Sequence, residues 1–68
     1  MAPDFSTLSG RERQVAALIY GGHSNKIIGR KLNIREGTVK QHAHAIYRKL
    51  GVRNRSEIVI RFAEFETR

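Results

Sequence analysis

The chain has 68 residues, a formal net charge of +7 and no cysteine. A domain of this size buries only about 60% of the surface that its unfolded chain exposes, which argues against an enclosed substrate cavity. The lack of cysteine excludes a disulfide and a cysteine-based zinc site, and no stretch approaches the roughly 18 apolar residues of a membrane span. Because the N-terminus also lacks the layout of a signal peptide, we expect a cytoplasmic protein without a membrane partner.

The positive charge is concentrated in the middle of the chain. Residues 26–55 carry nine Lys or Arg and a single acid, Glu36, whereas the flanking residues nearly balance. This local excess of +8 is typical of a surface that binds nucleic-acid phosphates, since such binding releases counterions. The alternative is a basic face that only keeps the domain soluble.

The N-terminal part predicts a short arm followed by one helix that serves as scaffold. Residues 1–7 contain the only proline and no periodic pattern, so we expect a flexible arm or a linker remnant. Ser9 and Glu12 have the spacing of a capping box at a helix start, and Gly21 and Gly22 end that helix by admitting left-handed backbone. The inward stripe of the helix consists of Leu8, Val15, Leu18 and Ile19.

The next segment predicts a helix, a sharp turn and another helix. Ser24 or Asn25 is placed to cap a helix that runs to about Leu32. Gly29 inside this helix costs about 1 kcal/mol relative to alanine, which indicates a close crossing by another helix. Asn33 tolerates the left-handed conformation, so we expect a tight turn there and a new helix directly after it.

Residues 36–50 form the most informative stretch. At about 100° per residue, one narrow side of this predicted helix is apolar and consists of Val39, Ala43, Ile46 and Leu50. The opposite side carries hydrogen-bond donors and no acid, namely Lys40, Gln41, His44 and Arg48, with the small residues Gly37 and Ala45 among them. Such a helix suits the major groove of DNA, where guanine O6 and N7 accept hydrogen bonds. We therefore interpret it as a recognition helix.

The donors on this helix have different predicted roles. Lys40 lies early in the helix and can donate to guanine, while Gln41 can pair with adenine, although contact with water or phosphate is nearly as plausible. His44 can donate to a base or to a phosphate. Arg48, one turn further on, favours the DNA backbone, as does Thr38 near the positive end of the helix dipole.

The residues after Leu50 predict a fourth helix with more apolar surface than one core needs. Gly51 ends the long helix, and Asn54 and Glu57 again have capping-box spacing before a helix over about 55–65. Its apolar residues cover roughly 160°, rather than the roughly 100° usual for a helix on a small core. A symmetric dimer contact is the simplest use of the surplus. The predicted dimerisation residues are Ile58, Val59, Phe62 and Phe65.

The sequence offers no recognisable catalytic or metal site. It has no glycine-rich phosphate loop after a strand and no close pair of carboxylates in a cleft-forming fold. His42 and His44 lie two residues apart on a helix and cannot converge on one metal ion. We therefore expect a protein that is not an enzyme and that has no metal, no cofactor and no small-molecule ligand in this domain.

Longer motifs connect these elements to a known family. The run NKIIGRKLNIREGTVKQHAHAIYRKLGVRNRSE closely resembles the DNA-binding domain of the LuxR/FixJ family of bacterial transcription regulators, also called GerE-like. The run LSGRERQVAALIYGGHS resembles the first helix and turn of that family. The resemblance implies an all-α domain at residues 8–66 with four helices, a helix-turn-helix at residues 25–44 and a C-terminal dimerisation helix.

The family resemblance also implies a mode of action. Such domains bind double-stranded, roughly palindromic operator DNA as homodimers, and RNA polymerase is left open as a further partner. In the family the domain usually follows a phosphorylated receiver or a ligand-binding domain, although short stand-alone members exist. We expect the first case, the effector domain of a response regulator in a two-component system. Base contacts are implied for Lys40, Gln41 and His44. Contacts with the DNA backbone are implied for the residues at the family's phosphate-contacting positions, namely Asn25, Lys26, Thr38, Lys49 and Arg53.

The chain departs from the family pattern at three positions. Ile27 replaces a glutamate and Gly29 an alanine, so the second helix loses a reciprocal cap. Arg35 stands where a capping serine is common, which exchanges a cap for a cation that can reach a phosphate.

Two rival interpretations remain open. The first is region 4 of a sigma factor, which shares the helix-turn-helix but docks on RNA polymerase. The second is a protein-interaction module whose basic face binds an acidic partner.

Overall fold

The structure is a computed structural model that describes the backbone of residues 5–66 and the side chains of residues 6–64. A 3-10 turn at Phe5–Thr7 precedes four helices: α1 at Gly10–Tyr20, α2 at Asn25–Leu32, α3 at Glu36–Leu50 and α4 at Arg55–Glu66. The described residues contain no strand, which confirms the predicted all-α, four-helix class. Part of the expected N-terminal arm is thus a helical turn, and residues 1–4 lie outside the described part.

The hydrophobic core lies between the four helices. α1 and α2 both pack against α3, while α4 packs mainly on α1. The buried apolar residues come from every helix and from the segments before α1 and after α3; they are Leu8, Val15, Ala16, Ile19, Ile28, Val39, Ala43, Ile46, Leu50, Val52 and Ile58. The predicted apolar stripe of α3 is therefore buried, and α3 presents its other side outward.

Local capping residues set the start of three helices. The Ser9 side chain accepts from the Glu12 amide and the Glu12 carboxylate accepts from the Ser9 amide, which confirms the predicted capping box of α1. The Ser24 hydroxyl accepts from the Ile27 amide at 3.3 Å and caps α2. The ambiguity between Ser24 and Asn25 is thereby resolved in favour of Ser24.

The cap of α4 differs from the predicted reciprocal box. The Asn54 side chain accepts from the Glu57 amide at 3.1 Å, as a cap should. The Glu57 carboxylate, however, accepts from the Arg53 amide at 2.7 Å rather than from Asn54. The carboxylate therefore reaches one residue further back and ties the loop before α4 to its first turn.

The turn between α2 and α3 depends on Asn33 and Gly29. Asn33 adopts the predicted left-handed conformation, with φ 57°. A Cβ on Gly29 would lie 2.7 Å from the Ile34 carbonyl oxygen, and the Ile34 amide donates to the Gly29 carbonyl at 2.9 Å. The predicted close approach at Gly29 is confirmed: the same Cβ would lie 3.5 Å from the amide nitrogen of Glu36, the first residue of α3, so the turn and the start of α3 both crowd this position.

The end of α3 follows the expected pattern. Gly51 is left-handed with φ 68°, and the Val52 amide donates back to the Tyr47 carbonyl at 2.9 Å. This closes the last turn in the manner of a Schellman motif. Val52 is buried at 7% exposure, so the chain turns sharply toward α4.

One predicted dimerisation residue belongs to the core instead. Ile58 has 0% exposed surface and was expected to face a second subunit, which it cannot do from the interior. The prediction failed because the apolar arc of α4 is shared between the core and the surface, and periodicity alone does not locate the boundary. Val59 and Ile60 are exposed at 38% and 55%, and Phe62 is partly buried and stacks on Tyr20 at 5.3 Å between ring centroids. The side chain of Phe65 lies outside the described residues.

Candidate nucleic-acid interface

The outer side of α3 is a row of exposed polar residues over a buried apolar stripe. Lys40, Gln41, His44 and Arg48 are all exposed. On the buried side of the helix, Val39 and Ile46 have 0% exposed surface. The packing of α3 therefore determines its rotation about its own axis. The structure therefore places the three predicted base-contacting residues together on one accessible face.

A ring contact restricts one member of this row. The His44 imidazole lies 6.0 Å from the Tyr47 ring, centroid to centroid, with the rings tilted by 43°. Tyr47 is itself partly buried and packed against the core. His44 is thus supported by a side chain that the core holds in place, which reduces the conformational freedom lost when it contacts a ligand.

The N-terminus of α3 lacks a side-chain cap. Arg35 occupies the N-cap position without a side-chain hydrogen bond to the first turn, whereas Ser9 and Ser24 cap α1 and α2. The first-turn amides of α3 therefore receive no hydrogen bond from the N-cap side chain, and the helix dipole favours an anion at this end of the helix. Arg35 itself is exposed.

Most of the residues predicted to contact phosphates are exposed. Thr38, in the first turn of α3, is partly buried. The cations predicted to contact phosphates and found exposed are Lys26, Arg35, Arg48, Lys49 and Arg53. Their exposure keeps them available to an anionic partner, as the predicted role requires.

Lys49 is engaged in an ion pair within the domain. Its ammonium donates to the Glu12 carboxylate at 2.8 Å and forms an ion pair with it. Because Glu12 is buried at 7% exposure, Lys49 supplies the counter-charge that this carboxylate needs. Lys49 therefore joins α3 to α1, and its side chain remains 41% exposed, so its contact with a phosphate stays a prediction.

The environment of Glu12 stabilises its charged form. Hydrogen bonds from the Lys49 ammonium and from the Ser9 amide hold the pKa of the Glu12 carboxyl below its usual value, against the opposing effect of burial. The capping-box spacing predicted the contact with Ser9. It contained no signal for Lys49, which is 37 residues away.

Asn25 is also engaged inside the domain, through a residue that the sequence did not single out. Arg55, the first residue of α4, donates from Nη1 to the Asn25 side-chain oxygen at 2.9 Å and from Nη2 to the His23 carbonyl oxygen. Asn25 is partly buried and its neighbour Lys26 is exposed. The Asn25 oxygen therefore accepts from Arg55, and its NH₂ group is the part of the side chain that can donate to a phosphate, as the predicted role requires.

The described residues contain no cluster of three His, Asp or Glu side chains that could hold a metal ion. Nor does any helix in the described part have the length and apolar character needed to cross a membrane.

Comparison with known proteins identifies the domain. The family described as bacterial regulatory proteins, luxR family, matches residues 6–62. YhjB of Escherichia coli (strain K12), provisionally named an HTH-type transcriptional regulator, is 48% identical over 54 residues, which are 79% of this chain and 27% of YhjB. The HTH-type transcriptional regulator MalT of Yersinia pestis (strain Pestoides F) is 46% identical over 54 residues, covering 79% of this chain and 6% of MalT.

The match in length is one-sided. The chain spans about a quarter of YhjB and a far smaller part of MalT, so the likeness concerns the DNA-binding domain of these regulators. The family match covers most of the chain and includes all the buried core residues named above. The chain therefore belongs to the luxR family of bacterial regulatory proteins and contains its helix-turn-helix DNA-binding domain.

Proposed function

We propose that this domain binds operator DNA sequence-specifically, with α3 in the major groove and its exposed side turned toward the base edges. The observation that carries the proposal is the row of Lys40, Gln41 and His44, all exposed on a helix whose opposite side is fully buried. A helix fixed in this way presents the same donors in every molecule, as base recognition requires.

Each of the three base-contacting residues has a preferred partner. Lys40 donates to guanine O6 or N7, and Gln41 forms a two-point contact with adenine N6 and N7. His44 donates to a base acceptor from whichever ring nitrogen carries the proton. The row therefore favours a site that contains at least one guanine and one adenine in adjacent positions.

Phosphate contacts hold the helix in register. Arg35 and the uncapped first turn of α3 bind one phosphate at the start of the helix, with Thr38 beside them. Arg48, Lys26 and Arg53 bind further along the duplex. These contacts carry most of the salt dependence and little of the sequence preference.

We also propose that two domains bind together through α4. Val59 and Ile60 expose apolar surface on this helix, and an isologous contact between two copies covers it. The operator is then roughly palindromic, with half-sites about one helical turn apart. Because the relatives are much longer than the matched region, a regulatory domain such as a receiver controls this dimer in the proposed response regulator.

The test begins with selection of bound duplexes from a random pool at a stated salt concentration. For the selected site, Lys40→Ala should lose about 1 to 3 kcal/mol of discrimination at one base pair. Lys26→Ala should instead weaken binding to all sequences alike and reduce the log–log salt slope by about one.

The same titration separates the rival function. A module that binds acidic proteins would select no sequence and would treat random and selected duplexes alike in the parent chain. That result, or a Lys40→Ala variant with the parent's sequence preference, would contradict the groove assignment.

A further inference from the structure

Arg55 forms a hydrogen-bonded link between α4 and the start of the helix-turn-helix. Its guanidinium donates from two nitrogens, to the Asn25 side-chain oxygen at 2.9 Å and to the His23 carbonyl oxygen. These partners precede it by 30 and 32 residues, and both contacts are partly shielded from solvent. While α4 packs mainly on α1, these two bonds also connect its first residue to the first residue of α2 and to the loop before α2.

The chemistry of the two groups determines how the Asn25 amide is turned. A guanidinium carries only donors, whereas a carboxamide has one acceptor oxygen and an NH₂ group. Arg55 can therefore be satisfied only by the oxygen, and the Asn25 nitrogen must point away from it. Without Arg55, the two ends of the amide would be free to exchange by rotation.

The side-chain nitrogen of Asn25 lies where we expect an anion to bind. Asn25 is the first residue of α2, at the positive end of that helix, and Lys26 beside it is exposed. An NH₂ group aimed outward at this point can donate to a phosphate oxygen, while an outward carbonyl oxygen would repel it. The orientation of one amide therefore decides whether Asn25 assists or opposes an approaching phosphate.

We propose that Arg55 is a positioning residue for DNA binding, holding the Asn25 amide with its NH₂ group toward a backbone phosphate. The inference rests on the proposed function and adds a residue that does not itself touch DNA. It also makes the first residue of the dimerisation helix part of the same hydrogen-bonded unit as the phosphate contact.

The experiment measures affinity for the selected duplex in variants that separate orientation from charge and stability. Asn25→Asp keeps an oxygen for Arg55 and removes the NH₂ group. Its control is Gln14→Glu, which makes the same charge change at an exposed position of α1. We expect Asn25→Asp to keep or raise the urea midpoint and to bind about tenfold more weakly than Gln14→Glu.

Arg55 is then tested through its dependence on Asn25. Arg55→Met should weaken binding more than Arg13→Met, which removes the same charge from an exposed position of α1. Both are compared at a temperature where circular dichroism shows them fully folded. In an Asn25→Ala background the excess cost of Arg55→Met should disappear, because no amide remains to be oriented.

The outcomes distinguish this inference from the proposed function. Equal costs of Arg55→Met with and without Asn25, or an Asn25→Asp variant that binds as well as Gln14→Glu, would overturn the positioning role while leaving DNA binding intact. Failure of the parent chain to select any duplex would instead refute the proposed function.

Discussion

Gly29 shows at the scale of a single residue how the turn of the helix-turn-helix constrains the sequence. Its backbone does not have positive φ, so conformation alone does not require glycine. The lack of space requires glycine here, because an added Cβ would lie 2.7 Å from the Ile34 carbonyl oxygen. That oxygen belongs to the backbone and cannot rotate away as a flexible side chain would.

We predict that Gly29→Ala destabilises the domain by about 1 to 3 kcal/mol, because the overpacking exceeds the gain of about 1 kcal/mol in helix propensity. The matched control is Gly37→Ala on α3, where a Cβ would meet nothing within 4 Å among the described residues. It should leave the stability unchanged or raise it by up to about 1 kcal/mol. Urea unfolding followed by circular dichroism measures both, and equal effects of the two substitutions would contradict this explanation.

Single residues also show where local sequence patterns stop being informative. Ser9 and Asn33 were predicted correctly because a cap and a left-handed turn depend on neighbours within four residues. Lys49 and Asn25 were assigned only to DNA phosphates because their intramolecular partners, Glu12 and Arg55, are 37 and 30 residues away. Helix spacing contains no information about pairs at that distance.

At the scale of elements, the ion pair between Glu12 and Lys49 fastens the C-terminal turn of α3 to the first turn of α1. α3 must keep its rotation and tilt if its outer row is to meet a groove in one register. Packing of Val39 and Ile46 fixes the rotation, and the ion pair restrains the far end. α3 is therefore held both by its buried apolar side and by a link at its C-terminal turn.

The lowered pKa of Glu12 predicts how stability depends on pH. A carboxyl with a lowered pKa in the folded state stabilises the fold above its unfolded pKa of about 4.3, and this stabilisation is lost as the pH falls through the lower folded value. The parent should therefore be more stable than Glu12→Gln near pH 6, and the difference should shrink toward about pH 3. Urea unfolding across this range measures it.

The partner provides the control for this prediction. In a Lys49→Met background, where the largest cause of the lowered pKa is absent, the pH dependence of the Glu12→Gln effect should be weaker. A stability difference that stays constant with pH, or one that is indifferent to Lys49, would show that the pair does not hold the two helices together.

At the scale of the whole molecule, packing fixes the orientation of α3, while α4 leaves apolar surface exposed. The order of helices, their caps and the buried stripe of α3 were predictable, since each depends on periodicity and on short spacings. The division of α4 was not, because Ile58 and Val59 are neighbours of similar character and only the packing of α4 on α1 separates them.

That division predicts opposite effects of one substitution at neighbouring positions. Val59→Glu should keep the helical fold, since Val59 is already 38% exposed, and should weaken dimerisation on DNA by placing two charges in an apolar contact. Ile58→Glu should unfold the domain, because it buries an unpaired charge in the core.

Ala17→Glu, an apolar-to-acidic change at an exposed position of α1, controls for added charge. Circular dichroism measures the loss of helical fold expected for Ile58→Glu, and titration of a duplex with two half-sites measures cooperativity for Val59→Glu and Ala17→Glu. Cooperative occupancy of both half-sites by Val59→Glu, at the level of Ala17→Glu, would remove α4 from the proposed dimer contact.

The central claim is that α3 meets DNA with its exposed row, and chemical-shift mapping of the ¹⁵N-labelled domain with a selected duplex tests it most directly. The largest shifts are predicted at Lys40, Gln41 and His44, with smaller ones at Arg35 and the first turn of α3. Largest shifts on α1 or α4, with these three residues unchanged, would contradict it.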